Sequence, residues 1–180
     1  RQSWIYGLRD LHGETITSAL YDYVDDAGGF PCRLECNFDT KFIRGRFRQV
    51  LRKNKVRVTA APPKRQSQNG LVERTWQTAC CMARSFLAEA RLPKSFWFWA
   101  VREAIMRKNV IQVQHGSKSS PLHTTPLEMY YGVKPDANVL FPFGCFGSFY
   151  RTNDGAHARS QSESQTYSGI AVGRDRNSNS

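Results

Sequence analysis

One acidic residue stands out because of the residues that surround it. In "KRQSQNGLVERTW" (64–76), a basic loop turns at Asn69-Gly70 and leads to Glu73 at the start of a helical pattern. A carboxylate in the first turn of a helix is favoured by the helix dipole and is a common choice near a cap. The same position can serve two-metal phosphoryl transfer, in which several carboxylates hold two Mg²⁺ ions about 3.5–4 Å apart.

Carboxylate partners for Glu73 are expected at strand ends, where an open α/β sheet gathers its ligands. Those partners have to be found elsewhere in the chain.

The charge balance favours a polyanionic partner. Lys and Arg number 26 against 15 acids, a net charge of +11, and basic residues concentrate at Arg44–Arg57 and Lys64–Arg65. Nucleic acid is the usual partner of such a surface, although a basic soluble protein without such a partner is the alternative.

Zinc, secretion and membrane insertion find no support in the sequence. The five cysteines include no Cys-x-x-Cys pair, and the two closest in zinc-like spacing, Cys32 and Cys36, have no accompanying His pair. We expect the cysteines to be structural free thiols in a reducing compartment. No apolar run reaches membrane-spanning length and no signal peptide is recognisable, so the chain is expected to be intracellular with no membrane partner.

The periodicity of apolar residues predicts alternating strands and helices, and therefore a sheet with helices packed on it. Strands are predicted at Trp4–Asp10, Cys32–Cys36 (a buried one) and Val56–Ala60, and helices at 14–28, 41–54, 71–90 and 95–112. A Pro/Ser/Thr-rich link, a short helix beginning at Pro126, two short strands around a polar loop, and a disordered tail follow.

The region around Glu73 resembles a known family. "APPKRQSQNGLVERTWQTACCMARSFL" is similar to the last acidic motif of retroviral-type integrases, above all those of copia-type LTR retrotransposons. There, a Pro-Gln-x-Asn-Gly-x-x-Glu-Arg sequence precedes an Ala-Arg-x-x-Leu helix. The matching residues are Asn69, Gly70, Glu73, Arg74, Ala83, Arg84 and Leu87, whereas Gln66-Ser67 replaces the Pro-Gln pair. "LPKSFWFWAV", Asn109, "TPLEMYYGVKP", "LFPFGC" and "SGIAVGR" match in order, so the resemblance spans about Trp4 to Gly173.

The resemblance implies an α/β, RNase H-like mixed sheet flanked by helices, with the first strands lying before Arg1 and a small C-terminal β-rich extension. It assigns residues 1–115 to a partial catalytic core, 116–135 to a linker and short helix, and 136–180 to the extension and a disordered tail. Family members use an Asp-Asp-Glu triad with Mg²⁺ or Mn²⁺ for DNA end processing and strand transfer. They act as oligomers in the nucleus or in cytoplasmic virus-like particles.

The chain departs from that triad. The family leaves thirty-five residues between its second Asp and the Glu, and this count from Glu73 reaches Asn37. Asp39 follows two residues later in "LECNFDTKF" (34–42). Residues i and i+2 of a strand face the same side, so Asp39 could face the same site, about 6–7 Å further along, if the strand extends that far. Glu73 and Asp39 are then the remaining metal-ligand candidates, and the first acid is expected before Arg1. The resemblance also implies DNA contacts from Lys64, Arg65, Gln68, Asn69, Arg74 and Arg84.

Three hypotheses follow from the sequence. The first is a fragment of a retrotransposon integrase core whose catalysis is impaired at Asn37. The second is a catalytically dead protein of the same fold that only binds DNA. The third is a structural remnant of a decayed element.

Overall fold

The computed structural model of the chain describes residues 2–37, 39–61, 70–111, 124–136, 140–150 and 166–173. They belong to two compact units. The first unit is Trp4–Thr78, and the second is Ala79–Ser180 together with Arg1–Ser3. The predicted loop at 61–70, the link after residue 112, the polar loop and the tail fall wholly or largely outside the described residues.

Helices and strands alternate in the first unit, as the sequence predicts. They are α1 (Gly13–Ala27), β1 (Arg33–Asn37), α2 (Thr40–Ile43), α3 (Gly45–Lys53), β2 (Arg57–Ala61) and the first half of α4 (Gly70–Glu89). The second half of α4 belongs to the second unit. There it is followed by a 3-10 turn (Lys94–Phe96), α5 (Trp97–Val110), α6 (Pro126–Tyr131), β3 (Phe146–Tyr150) and β4 (Thr166–Ile170). Among the described helices, none is both long enough and apolar enough to cross a bilayer.

Helix α1 confirms its predicted start and stop within a residue. Ile16 and Leu20, four residues apart, are buried, as the spacing predicts. The helix ends at Gly28, whose φ of 74° is left-handed and whose N–H donates to the Val24 carbonyl. A residue without a Cβ adopts that conformation at little cost, which explains the sharp end of the helix.

Strands β1 and β2 form a parallel pair that α2 and α3 connect. Their register runs from Arg33 opposite Arg57 to Asn37 opposite Ala61. The sequence predicts that the strand at Cys32–Cys36 is buried. This is wrong, because β1 alternates exposed residues with half-buried Leu34 and Cys36. This alternation is typical of a strand with one face on the core and one face outward.

The helix predicted over residues 41–54 is interrupted at Arg44. This residue is extended (φ −131°, ψ 174°) and Gly45 follows with φ 71°, so the chain forms α2 and then α3. The predicted apolar stripe continues across the break, since the Phe42 and Phe47 rings meet edge to face with centroids 5.7 Å apart. Apolar spacing alone therefore did not reveal the break at the glycine.

One apolar cluster holds the first unit together. Leu51 is completely buried, and Phe47 is 5% exposed. Leu34 of β1 and Val58 of β2 pack against this cluster, which also contains residues of α1. The members are Ile16, Leu20, Phe47, Leu51 and Val56. Helix α3 therefore covers the inner face of the parallel pair.

The strand predicted at Trp4–Asp10 is not present in the structure. The Trp4 ring instead packs edge to face on Tyr23, with centroids 5.2 Å apart, and the Tyr6 hydroxyl donates to Asp26 at 2.6 Å. Both partners lie on α1. The alternating aromatic residues thus reflect side-chain anchoring on a helix rather than pairing in a sheet.

The second unit buries small side chains on two long helices. Ala79, Ala83 and Leu87 are buried on α4, and Ala100, Val101 and Ala104 on α5. The Arg107 guanidinium of α5 lies 4.8 Å from the centroid of the Phe86 ring of α4, and Phe86 stacks on Phe143. This stacking joins both helices to the start of the C-terminal extension.

Helix α6 begins with a capping box, in which the Thr125 hydroxyl accepts from the Glu128 N–H at 3.0 Å. The predicted short helix is thereby confirmed. The two predicted C-terminal strands are also confirmed, since β3 and β4 pair antiparallel with Phe146 opposite Ile170.

Gly144 and a buried ion pair connect this extension to the helices. Glu103, 3% exposed, receives a hydrogen bond from Arg107 at 2.7 Å, and Arg107 also donates to the Phe141 carbonyl. Gly144 has φ 76°, and a Cβ there would lie 2.4 Å from the Ala90 Cβ. The Gly144 N–H donates to the Ala171 carbonyl at 2.7 Å, so the backbone is held at this close approach.

We predict that Gly144→Ala lowers the free energy of unfolding by about 2–5 kcal/mol, because left-handed strain and overpacking add. Gly28→Ala has the same positive φ in open space and should cost only about 1–2 kcal/mol. Urea denaturation of the two variants measures this difference. Equal losses would show that the approach to Ala90 contributes nothing.

Candidate nucleic-acid and metal site

Glu73 lies in the first turn of α4, three residues after the helix begins at Gly70. Its side chain is exposed, and it is the acid of that turn. The positive end of the helix dipole favours a carboxylate there. The structure thus confirms the predicted placement of Glu73 at the start of a long helix, within the first unit.

Asn37 is the last residue of β1, at the carboxyl end of the parallel pair. It is exposed, in the same compact unit as Glu73. The carboxyl ends of parallel strands are where open α/β sheets bind their ligands. The position that aligns with the second acid is therefore at a strand end, as predicted, but it bears a neutral amide.

Asp39 is not a continuation of the strand. β1 ends at Asn37, whose carbonyl accepts a hydrogen bond from the Asp39 N–H at 2.8 Å. Asp39 then becomes the N-cap of α2, and its Oδ1 accepts from the Lys41 N–H at 3.0 Å. From the sequence, Asp39 is expected to face the site only if the strand extends to residue 39. That condition is not met, because β1 ends at Asn37. Its role as a metal ligand stays a prediction.

The predicted DNA-contacting residues fall into two groups. Arg74 and Arg84 are exposed on α4, where a phosphate could reach them. Lys64, Arg65, Gln68 and Asn69 lie outside the described residues.

The first half of α4 exposes apolar side chains, including one predicted to lie in the core. Trp76, predicted to lie in the core, is 49% exposed, and Val72 is 68% exposed. Burial on α4 begins only at Ala79. Since Val72, Trp76, Cys80 and Ala83 continue one stripe at helical spacing, periodicity does not indicate where the core ends.

A half-buried thiol, Cys36, precedes Asn37 and feels the charge of a guanidinium. Burial raises the pKa of the Cys36 thiol, and the positive charge of Arg48 on α3 offsets part of this rise. Cys36 immediately precedes Asn37. Arg48 of α3 therefore contributes a positive electrostatic potential at the Cys36 thiol, near the end of β1.

The residues present do not fit a two-cation site. Mg²⁺ prefers oxygen ligands at about 2.0–2.1 Å, usually with one or two carboxylates plus waters and phosphate. Asn37 offers a neutral oxygen in place of a charged one, and Asp39 Oδ1 already caps α2. Within the described ranges, no three His, Cys, Asp or Glu side chains converge in a way that could hold a metal ion. Glu73 and Asp39 stay predicted metal ligands.

No protein-family model matches the chain, and no curated protein matches it either. Solved structures do. One is the integrase catalytic core domain of HTLV-2 in complex with magnesium, in a trimeric form, with a TM-score of 0.51 and 19% identity. The match covers 68% of this chain and 72% of that one.

A second match is a cryo-electron microscopy structure of a simian T-cell lymphotropic virus intasome in complex with the PP2A regulatory subunit B56 gamma. The TM-score is 0.55 at 16% identity, over 88% of this chain and 53% of that one, so the chain spans about half the length of that relative. At these identities the likeness concerns the fold. The predicted fold class is confirmed: the chain has the α/β fold of a retroviral integrase catalytic core.

Proposed function

We propose that the chain is an integrase-type catalytic core, from a copia-type LTR retrotransposon polyprotein, that binds DNA but does not catalyse strand transfer with its present sequence. The observation that carries this proposal is Asn37, which lies at the carboxyl end of β1 in an integrase-core fold. Residue 37 lies where a metal ligand would be expected, but its amide lacks the negative charge of a carboxylate.

The loss of catalysis follows from charge. Two divalent cations about 3.5–4 Å apart repel each other, and carboxylates must offset that repulsion for both to bind. An amide can donate an oxygen but contributes no negative charge. Glu73 would remain as one carboxylate ligand for Mg²⁺ or Mn²⁺, which when bound would polarise the reacting phosphate. We assign no reaction step to this incomplete set.

DNA binding is supported by charge and exposure. The chain carries a net charge of +11, and Arg74 and Arg84 are exposed on the helix that begins beside Glu73. Basic side chains bind duplex DNA by neutralising phosphates and releasing counterions, which requires no specific base contact. The catalytic defect leaves this property intact, because it depends on other side chains.

Other expectations from the resemblance belong to the same proposal. The partners would be the ends of an element and its target DNA, in the nucleus or in a virus-like particle. Homo-oligomerisation stays a prediction, and the trimeric form described for the HTLV-2 core supports it. A structural remnant is the competing possibility, and the absence of any DNA binding would favour it.

We predict that the chain binds a fluorescent 30-base-pair duplex with an affinity that falls steeply as salt rises. The double variant Arg74→Gln/Arg84→Gln should lower the slope of log K against log salt by about 1.8, because each neutralised phosphate contributes about 0.9. Fluorescence anisotropy at several salt concentrations measures the slope.

Lys94→Gln/Lys134→Gln is the matched control for this variant. It removes the same charge from two exposed positions of the second unit, outside α4, and should leave the slope nearly unchanged. If wild-type protein shows no binding, or binding without salt dependence, the DNA-binding function is refuted.

We predict that Asn37→Asp tightens Mn²⁺ binding at least tenfold, because it restores one negative charge at the strand end. Isothermal titration calorimetry measures this without requiring activity. Adding Glu73→Gln to the variant should remove the gain, since the two side chains would share the cation.

Gln49→Glu introduces the same charge at an exposed position of α3 and serves as the control. If this control gains as much Mn²⁺ affinity as Asn37→Asp, the effect is one of general charge. Residue 37 would then have no special place in a metal site.

A further inference from the structure

Residues 41–57 form the most uniformly basic segment that the structure describes. They contain eight Lys and Arg residues and no Asp or Glu. The eight are Lys41, Arg44, Arg46, Arg48, Arg52, Lys53, Lys55 and Arg57. All except Arg48, which is half-buried, are exposed. We call this set the α3 basic face.

The packing of α3 directs this charge outward. Phe47 and Leu51, four residues apart, are buried in the core of the first unit, and Val50 packs beside them. The remaining positions of the helix are glycine, Gln49 and the four basic residues, so the helix is apolar on its inner side and cationic on its outer side.

Favourable interactions within the fold account for only some of these basic residues. Arg52 and Lys53, in the last turn, are favoured by the helix dipole. Arg44 and Arg46, at the first turn, face its positive end, where no acid is present. The Arg46–Glu14 ion pair (3.1 Å) joins two well-exposed side chains, and such pairs contribute little. The cations at the first turn are thus not accounted for by local stability.

Arg48 provides a second, independent observation. Its Nη1 is buried and has no hydrogen-bond partner among the described residues. An unpaired buried donor costs free energy, which this half-buried side chain would recover by turning outward to a phosphate oxygen. The same guanidinium acts on the Cys36 thiol, next to Asn37 at the end of β1.

We propose that the α3 basic face, which lies on other elements than Arg74 and Arg84, is a second set of DNA contacts and that it holds the phosphate backbone of a duplex. The nine residues of α3 span about 13 Å, and phosphates along one strand are spaced about 3.4 Å along the axis. The helix can thus reach about four phosphates. Binding is independent of sequence, because the contacts are with phosphates rather than base edges.

The choice of DNA as the polyanion rests on the proposed function, whereas the location of the surface rests on the α3 charges alone.

The test removes three charges from the α3 basic face with Arg46→Gln/Arg52→Gln/Lys53→Gln. In the duplex anisotropy assay, the salt slope should fall by about 2–3 relative to wild type. The control, Arg9→Gln/Lys94→Gln/Lys134→Gln, removes the same charge from exposed positions outside the segment and should change the slope by much less. Equal slopes for the two triple variants would overturn the proposal.

The outcomes separate the two proposals. If wild type does not bind DNA, both fail. If Arg74→Gln/Arg84→Gln weakens binding and the α3 variant behaves like its control, only the second surface fails. If anionic phospholipid vesicles displace the duplex from wild type and bind the α3 variant less, the surface exists but its partner is a membrane, and the assignment to DNA is overturned.

Lysine footprinting on wild-type protein gives an answer even if the triple variant does not fold. With duplex present, acetylation of Lys53 and Lys55 should slow at least threefold, while Lys94 and Lys134 react at an unchanged rate. Unchanged reactivity at Lys53 and Lys55 under saturating DNA contradicts the proposal.

Discussion

The packing of Phe47 and Leu51 under α3 is the interaction on which the first unit depends. Two short parallel strands are not stable alone, because their inner face needs an apolar cover. Leu34 and Val58 find that cover in the cluster that Leu51 completes. The same packing fixes the carboxyl end of β1, where Asn37 lies, and turns the arginines of α3 outward. A structural requirement of the sheet thereby determines both the position of the candidate metal ligand and the direction of the basic surface.

In the proposed function, the neutral side chain of Asn37 accounts for the loss of catalysis without any change of fold. Replacing a carboxylate by an amide preserves size and shape but exchanges one acceptor oxygen for an NH2 donor. At the exposed end of β1 this disturbs neither strand pairing nor core packing. The change removes one negative charge where cations would have to be held close together. Asp39 would compensate only if the backbone shifted, because β1 ends at Asn37 and Oδ1 of Asp39 caps α2. Under the proposed function, the fold and DNA binding persist without catalysis.

Much of this architecture could be predicted from local sequence. The spacing of Ile16 and Leu20 predicted α1, and the glycine turn before Glu73 predicted the start of α4. Long-range effects were inaccessible: Gly45 breaks a continuous apolar stripe, and Trp4 and Tyr6 alternate like a strand while packing on α1. Trp76 continues a buried stripe beyond the core, so its exposure depends on tertiary context alone. At the site, the count from Glu73 found Asn37, but only the structure shows that Asp39 leaves the strand.

The most direct test of this account is a strand-transfer assay. A labelled oligonucleotide with a free 3′ end and a target duplex are incubated with wild-type protein and with Glu73→Gln, in Mg²⁺ and in Mn²⁺, at protein concentrations that saturate DNA binding. The account predicts that neither protein yields joined product, although both bind DNA. Metal-dependent joining by wild type that disappears in Glu73→Gln would contradict it, because Asn37 would then support the chemistry that its neutral side chain is argued to prevent.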